Sequence, residues 1–582
     1  MSNMTELAKK QASEIIMNSL GELVAQEKIP SVPLPAFNIE RPADASHGDF
    51  SCNAALAFAK ALKSNPRAIA QMICETAVLD GSAFEKIEMA GPGFINFYIG
   101  EKWFADVVKA AVDEGADYGK TDYGKNKKIL LEFVSANPTG PMHIGNARGG
   151  ALGDSLASLL QYAGFYVERE FYVNDAGNQI EKFGKSLSLR YMQIADGSKA
   201  DIIKQYEGED ICDKIFADED NFPMPEDVYK GVDIIEHAYN YYKINGDKLV
   251  SLDEEERKSA LVEYALPLNI EGLEGDLKKY RIVYDTWFRE STLHQNGAVK
   301  KIVELLTEKG HTYEKDGAIW FKASEFGDDQ DRVLVRANGI PTYFVPDIAY
   351  HYNKLVTRGF DRAVDILGAD HHGYVPRMKA ALTALGIDAA KLDAVIMQMV
   401  MLVRNGETVK LSKRSGKAIT LSTLLDEVPI DAARFFFNLR DPNTHLEFDL
   451  ELAIKESSDN PVFYVQYAHA RICSVLRRLA DEGVKFENAD TLTYTHPAEL
   501  ALIRHIASLS DCINEAAKAY NPSKITKYIH ELAQLFHKFY DNCRIKGEEE
   551  NIVQSRLSLC VAAKTVFKNM LDLLKVDAPE KM

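Results

Sequence analysis

None of the seven cysteines (Cys52, Cys74, Cys212, Cys473, Cys512, Cys543, Cys560) stands in a Cys-x-x-Cys pair. Zinc knuckles and disulfide frameworks are therefore not indicated. Scattered thiols in odd number suit a reduced, cytoplasmic protein. Long apolar runs are missing too. The densest, AVIMQMVMLV (Ala394–Val403), falls well short of the ~18 residues that span a bilayer and predicts a buried strand with its approach. The opening MSNMTELAKKQASEIIMNSL carries acids and lacks the apolar centre of a signal peptide; its pattern predicts an amphipathic helix. Positive charge is in deficit: the net charge of −18 argues against nonspecific adhesion to nucleic acid or to an anionic membrane. It leaves room for a local basic groove. Internal repeats and low-complexity segments are absent.

What is there is 582 residues of ordinary globular composition, 46% hydrophobic and 26% charged. That length suits three or four domains at ~150 residues each. Residues 1–110 predict a small α+β domain: a first helix, the loop HGDFS, the helix Asn53–Lys63, then two strands around a Gly-Pro-Gly turn. Residues 120–445 predict an α/β domain with a parallel sheet. Its units are a strand at Lys127–Val134, a helix at Ala151–Gly164 and a strand at Phe165–Val173. Further strands are expected around Ile282–Tyr284 and at Ala363–Gly373, the latter leading into a helix. Hairpins are expected to turn on Asp316-Gly317 and on Asn338-Gly339, and another lies within Met399–Ser422. An acidic stretch at about 196–280 interrupts this order, and its recurring Tyr, Ile and Leu predict a folded insertion rather than a disordered linker. Residues 450–582 predict four helices of bundle length.

Two stretches carry chemistry. SANPTGPMHIGNARGG (Ser135–Gly150) sits between the first strand and its helix, where α/β folds bind phosphates. Gly145, Gly149 and Gly150 would clear one face for a flat base or sugar, and His143 can donate to a phosphate oxygen. Alone, a His-x-Gly is more often structural. VKLSKRSGK (Val409–Lys417) crowds Lys410, Lys413, Arg414 and Lys417 into a Ser/Gly loop suited to clamping a polyphosphate. Alone, such a run is a solvated surface. Together, in an acidic chain, the two are far more specific.

His143-Ile144-Gly145-Asn146 resembles the HIGH signature of class I aminoacyl-tRNA synthetases, and Lys410-Leu411-Ser412-Lys413-Arg414 resembles their KMSKS signature. With EFVSANPTGPMHIGNARGG, FYVNDAGNQIEKFG, DAARFFF, NPVFYVQYAHARI and GPGFINFYI, the resemblance sharpens to the arginyl-tRNA synthetases and covers essentially the whole chain. It implies a multidomain α/β protein: a class I Rossmann-like catalytic domain, an N-terminal α+β domain touching the tRNA's outer corner, and a C-terminal helical anticodon-binding bundle. It implies that ATP, with Mg²⁺, activates L-arginine, which passes to the 2′-hydroxyl of the terminal adenosine of tRNA(Arg). Activation is expected to need bound tRNA. Zinc is not expected, and a cytoplasmic monomer away from membranes is.

Residue by residue, the resemblance puts His143 on the ATP phosphates and Lys413 on the departing pyrophosphate, with Asn146 completing the catalytic motif. Gly145, Lys410 and Ser412 belong to the ATP site, as do Gly368, Asp370 and His371 of LGADHHG, the ribose-holding segment. A carboxylate on a ribose diol is sound hydrogen-bond chemistry. The pair His371-His372 lacks companions at metal spacing. A guanidinium needs anions, and the resemblance gives Glu132, Tyr343 and Asp347 to its pocket and Ser135 and Asn137 to the ammonium end. The signature region is Ala136, Asn137, Pro138, Thr139, Gly140, Pro141, Met142, His143, Ile144, Gly145 and Asn146. Tyr464, Tyr467, Arg471, Arg477, Arg478, Lys524, Lys527 and Tyr528 give the helical domain aromatic and basic character suited to RNA. Two departures stand out. Asn146 replaces a histidine and carries no titratable charge. Leu411 replaces a methionine of similar volume. Against a glutamate or cysteine enzyme stand the acidic pocket and the missing zinc-type cysteines. Against a small nucleotidyltransferase stands the helical domain, and against a noncatalytic tRNA-binding paralogue stand His143, Lys413 and Asp370.

Overall fold

Alternation in FINFYI buries Ile95, Phe97 and Ile99 on one face and pairs the strand on both edges. A computed structural model of the chain describes residues 3–42, 44, 47–371, 373–409, 420–489 and 491–582. In the first unit β1 (Ile39–Glu40), β2 (Phe50–Cys52), β3 (Phe84–Ala90) and β4 (Phe94–Ile99) form an antiparallel sheet in the order β1-β2-β4-β3. The opening helix runs Met4–Ala25, with the Asn3 side chain accepting from Glu6 N at its start. The helices Ala54–Leu62 and Pro66–Thr76 pack on the sheet.

The central sheet comprises β5 (Lys128–Glu132), β6 (Tyr166–Val173), β7 (Thr286–Arg289), β11 (Arg362–Gly368) and β12 (Leu392–Met397). Its order is β12-β11-β5-β6-β7, parallel throughout. The chain steps outward from β5 to β7, then returns on the other side of β5 with β11. Topology therefore reverses between β5 and β11, and the carboxyl ends of those strands frame the crevice where such sheets bind ligands. Between the halves, β8 (Thr312–Lys315), β9 (Ala318–Phe321) and β10 (Arg332–Val335) make an antiparallel sheet. Asp316 (φ 53°) and Gly317 (φ 72°) close the β8–β9 hairpin with two left-handed residues, as that turn requires. After β12 come β13 (Val400–Arg404), β14 (Glu407–Thr408) and β15 (Leu446–Asp449), with β13 between the other two.

Four expectations change. The helix behind β5 starts at Ile144, not Ala151, so Gly145, Gly149 and Gly150 lie in the helix rather than in a loop. Ile282–Tyr284 forms no strand: Ile282 is buried against the space left by Gly150, Tyr284 donates to Phe133 O (2.9 Å), and pairing begins only at Thr286. The apolar run Ala394–Val403 divides between β12 and β13, because Gln398 N leaves the first sheet to bond Pro442 O (3.0 Å). The second expected bundle helix breaks at Ser508 into Pro497–Ala507 and Leu509–Lys518, joining Pro461–Asp481, Ser523–Asn542 and Glu550–Leu573. The Asn338-Gly339 turn closes a short hairpin, with Arg336 N donating to Ile340 O (3.0 Å), Thr342 N to Leu334 O (2.7 Å) and a single bridge from Val335 to Pro341.

The acidic insertion is folded. Its helices Ala200–Tyr206, Ile211–Ala217, Val232–Asn245 and Glu254–Lys279 close over apolar clusters that include Ile234, Ala238, Leu261 and Ala265.

The helix Ile144–Tyr162 is fixed by close packing and by buried charge. A Cβ on Gly153 would lie 2.2 Å from Phe133 Cγ. Gly153→Ala is expected to cost ~1–3 kcal/mol of stability through overpacking, read as a lower urea midpoint; an unchanged midpoint would mean that the Phe133 ring can swing aside. Asp154 accepts from Arg434 Nη2 (2.6 Å) and Arg169 Nε (3.1 Å). The fully buried Arg434 also donates to Tyr280 O and Leu574 O, both at 2.8 Å. This is what the arginine in DAARFFF does. Arg148 donates to Gln398 O (2.8 Å), Thr444 O (3.0 Å) and Asp441 O (3.1 Å), and burial pulls its guanidinium down to about 10.

Candidate active site

Directly behind β5 the backbone turns through two left-handed residues, Val134 (φ 69°) and Ser135 (φ 42°). For a β-branched residue this is strained, at a cost of order 1–3 kcal/mol per residue. Ser135 locks the turn: its Oγ donates to Glu132 Oε1 (2.9 Å) and accepts from Tyr172 N on β6 (3.1 Å). The chain then passes through the Pro-Thr-Gly-Pro turn to exposed His143, the N-cap of the helix Ile144–Tyr162. The first N–H groups of a helix lack intrahelical partners and carry partial positive charge. Of the three glycines expected to clear space, only Gly145 does so, since a Cβ there meets nothing within 4 Å. Gly149 lies under Met397 (3.5 Å), and Gly150 admits Ile282 at 2.8 Å from its missing Cβ. Gly150 therefore serves packing.

Thr420 forms a bridge with His143, and Leu421 N donates to Met142 O (2.8 Å). Lys410, Leu411, Ser412, Lys413, Arg414 and Lys417 lie outside the described residues, as does His372.

A cavity of about 1050 Å³ opens beside the turn. Ser135, Ala136, Asn137, Thr139, Gly140, Pro141, His143 and Asn146 line one wall, with Thr420 and Thr423. Asp213, Lys230, Asp233, Glu236, His237, Asn269 and Asp276 come from the insertion. Pro138, Met142 and Ile144 are buried beneath it. The remaining candidates lie elsewhere around the carboxyl ends of the strands.

The acidic pocket forms where β5 and β11 run side by side. Glu132 pairs in register with Asp365. Between them the fully buried Lys354 donates to Glu132 Oε2 (2.5 Å) and Asp365 Oδ1 (2.9 Å). Burial alone would lower the Lys354 ammonium, but Asp365 and Glu132 more than reverse this and hold it charged. Burial would raise the Asp365 carboxyl, but Lys354 and His351 bring it well below its ordinary value. His351 also bonds Asp365 Oδ2 (2.8 Å) and Asp347 O (2.8 Å). Glu132 is thus neutralised by lysine and has both oxygens engaged. Asp347 is not. Burial, with Glu290 and Glu132 nearby, pushes its carboxyl up to about 7, against the opposing pull of His351 and Lys354. Burial also raises the Glu290 carboxyl, with Asp175 adding to the effect. An acidic pocket in which Glu290 and Glu132 act on Asp347 suits a cation.

Tyr343 caps the helix Phe344–Tyr352, remains half-exposed, and accepts from Asn178 N through its hydroxyl (2.8 Å). Its ring covers Gly177, whose Cβ would lie 3.0 Å from Tyr343 Cε1. Asn174, with its amide oriented to satisfy its neighbours, donates to Glu290 Oε2 (3.1 Å), and Asp175 accepts from Ser291 N and Oγ (both 2.8 Å). FYVNDAGNQ is therefore the bracket that places Glu290 and Tyr343. Gly368 ends β11, and Asp370 folds back so that a Cβ on Gly368 would meet its Oδ1 at 2.7 Å. Asp370 and His371 are exposed in the turn Ala369–His371. Among the described residues no His/Cys/Asp/Glu cluster fit for a metal ion is found, and no helix is long and apolar enough to cross a membrane.

The helical domain sorts its aromatic and basic residues. Tyr528 is core, its hydroxyl donating to His505 O (2.8 Å). Tyr467 is exposed and stacks near His537, while Arg471 lies over Tyr540 (4.3 Å). Arg477 donates to Glu580 O (3.2 Å), and Lys524 pairs with Glu515 (3.2 Å).

Sequence reasoning overlooked Glu290, His351, Lys354 and Asp365. The signal was partly there: Asp347, Tyr350, His351 and Lys354 repeat at helical spacing in an otherwise apolar stretch, and that face meets the sheet.

Residues 107–458 match the family described as "tRNA synthetases class I (R), catalytic domain". Residues 10–99 match the "Arginyl tRNA synthetase N terminal domain", and residues 465–582 the "DALR anticodon binding domain". The chain is 48% identical to the arginine–tRNA ligase of Acetivibrio thermocellus over all of both chains. It is equally similar, over the same extent, to that of Caldanaerobacter subterraneus. The solved arginyl-tRNA synthetase of Thermus thermophilus shares the fold at TM-score 0.70 and 21% identity, over 98% of this chain and 100% of that one.

Proposed function

This chain belongs to the class I arginyl-tRNA synthetase family, and from that premise we propose how its residues share the ligation of arginine to tRNA. ATP, arginine and tRNA are the substrates. The arginine carboxylate attacks the α-phosphorus of ATP, which enters with its Mg²⁺, and pyrophosphate leaves. The terminal adenosine's 2′-hydroxyl then attacks the activated carbonyl, and AMP leaves. Displacement at phosphorus needs alignment and charge neutralisation above all.

In this reading Asp347 and Glu290 take the guanidinium and Tyr343 closes over it. Glu132 acts mainly by fixing Ser135, and Asn137 meets the α-amino end. His143, Gly145 and Asn146 receive the phosphates at the helix start, where the dipole favours anions. Gly368, Asp370 and His371 hold the ribose. Lys413, with Lys410 and Ser412, neutralises the pyrophosphate; the anchoring of Thr420 on His143 favours this. We divide the chain into an N-terminal domain at 1–110, a catalytic domain at 120–445 with its insertion at about 196–280, and an anticodon-binding domain at 450–582. A monomer working in the cytoplasm is part of the proposal; sedimentation in solution tests the first part.

The observation that carries the reading is the acidic pocket, where Glu290 and Glu132 act on Asp347, together with the strained turn that leads to His143. The test is attachment of labelled amino acid to bulk tRNA with ATP and Mg²⁺, with glutamate and cysteine as controls. Arginine alone should be attached, and Lys413→Ala should lower the rate ~10²-fold or more. tRNA binding without attachment of any amino acid would instead mark a tRNA-binding protein whose active site is lost at Asn146.

A further inference from the structure

The turn that delivers His143 has little to hold it. Pro138 and Pro141 offer no N–H donors, and the strained residues behind them favour relaxation. Among the described residues, one hydrogen bond reaches the stretch 136–141: Asn269 Nδ2 donates to Pro138 O (3.0 Å). Asn269 comes from the insertion helix Glu254–Lys279. Its own amide is oriented by a second insertion helix, where His237 Nε2 lies 2.7 Å from Asn269 Oδ1. Since the amide nitrogen faces a carbonyl, Oδ1 must accept, and the proton sits on His237 Nε2. One turn away on the same helix, Asp233 rests against Gly140, whose Cβ would lie 3.1 Å from its Oδ2. The insertion thus touches the signature turn at Pro138 and again at Gly140.

We infer that Asn269, oriented by His237, is a positioning residue for the ligation reaction: it fixes the Pro-Thr-Gly-Pro turn and so sets the placement of Asn137 and His143. The insertion is then a working part of the catalytic centre and more than a wall of its cavity. Neither residue needs to touch ATP or arginine. Both sit on the cavity wall, half-buried, so they can be replaced without opening a core.

The catalytic arm of the test rests on the assignment of His143 to the reaction; a hydrogen-exchange arm does not. Asn269→Asp keeps the shape and the acceptor for His237 but turns an oxygen toward Pro138 O. It should lower kcat for arginine attachment ~10- to 100-fold, the scale of a misplaced catalytic group. KM for ATP and arginine should change less than about threefold, since uniform binding is untouched. His237→Ala should give a smaller loss, His237→Gln should restore most of it by supplying a donor, and the double variant should be no worse than Asn269→Asp alone. Hydrogen exchange at Leu421, whose N–H is bonded to Met142 O at the end of the turn, should quicken in Asn269→Asp while the unfolding midpoint stays within about 2 °C. Unchanged exchange at Leu421 would overturn the inference. So would a full kcat, a KM effect without a kcat effect, or rate losses that merely follow lost stability. If Asn269→Asp does not fold, the His237 pair carries the same comparison, with additive or unrescued effects counting against the inference.

Discussion

Asp347→Asn is expected to raise the arginine KM at least ~30-fold, while leaving the empty protein as stable as before or more so. Taking one member from a desolvated charge pair costs ~2–5 kcal/mol. The empty pocket gains instead, because one of its mutually repelling carboxylates is gone. Opposite signs for binding and stability distinguish this from a general loss of structure. The pH dependence follows from the same group. Asp347 sits at about 7 in the folded protein, against an ordinary value of 3.8. Below pH 7 the empty pocket holds a proton on it, and arginine must expel that proton to bind. The arginine KM should therefore climb as pH falls below 7, approaching ~tenfold per unit, and level off above 7. Glu290, Glu132, His351 and Lys354 face the same group and modulate the midpoint. Initial rates from pH 6 to 8.5 at saturating ATP and tRNA would read it. A flat KM across that range would remove Asp347 from contact with the guanidinium.

Lys354→Met should be the most destabilising substitution in the catalytic domain. The ammonium is fully buried and answers two carboxylates, Glu132 and Asp365, on adjacent strands. Removing it leaves both carboxylates facing one another in a low-dielectric interior, a loss of ~3–5 kcal/mol. His351 remains bonded to Asp365 Oδ2. The residual instability should ease at lower pH, where the neutral carboxyls are favoured. Urea unfolding at pH 6 and pH 8 would separate these contributions. A variant with the wild-type midpoint at both values would mean that water reaches this site and screens it.

The architecture was legible where local chemistry decides it. Asp316-Gly317 named its hairpin, and the strand–turn–helix around His143 follows from an apolar run meeting Pro and Gly. Misreadings came where a distant element decides. Ile282 looks like strand, but it fills a hole made by a glycine far upstream. Gly149 and Gly150 look like ligand clearance, but Met397 and Ile282 occupy their space. The pocket divides the same way. Asp347 and Tyr343 stand near one another in the chain and could be read together. Glu290 reaches them only because Asn174 and Asp175 fold one strand end over another, and no spacing in the sequence announces that.

Arg148 and Arg434 make catalytic competence a matter of folding order. The strand, turn and helix carrying His143 are contiguous, and such local units form early. Yet Arg148 finds its carbonyls 250 to 296 residues downstream, and Asp154 meets Arg434 280 residues away. Loops of that length close late, after their entropy cost is met. Until then the helix holds one guanidinium without its partners and one carboxylate with only Arg169 beside it. During refolding, regain of helical signal should run ahead of regained arginine attachment. The segment bearing the chemistry is among the first to take shape and the last to become useful.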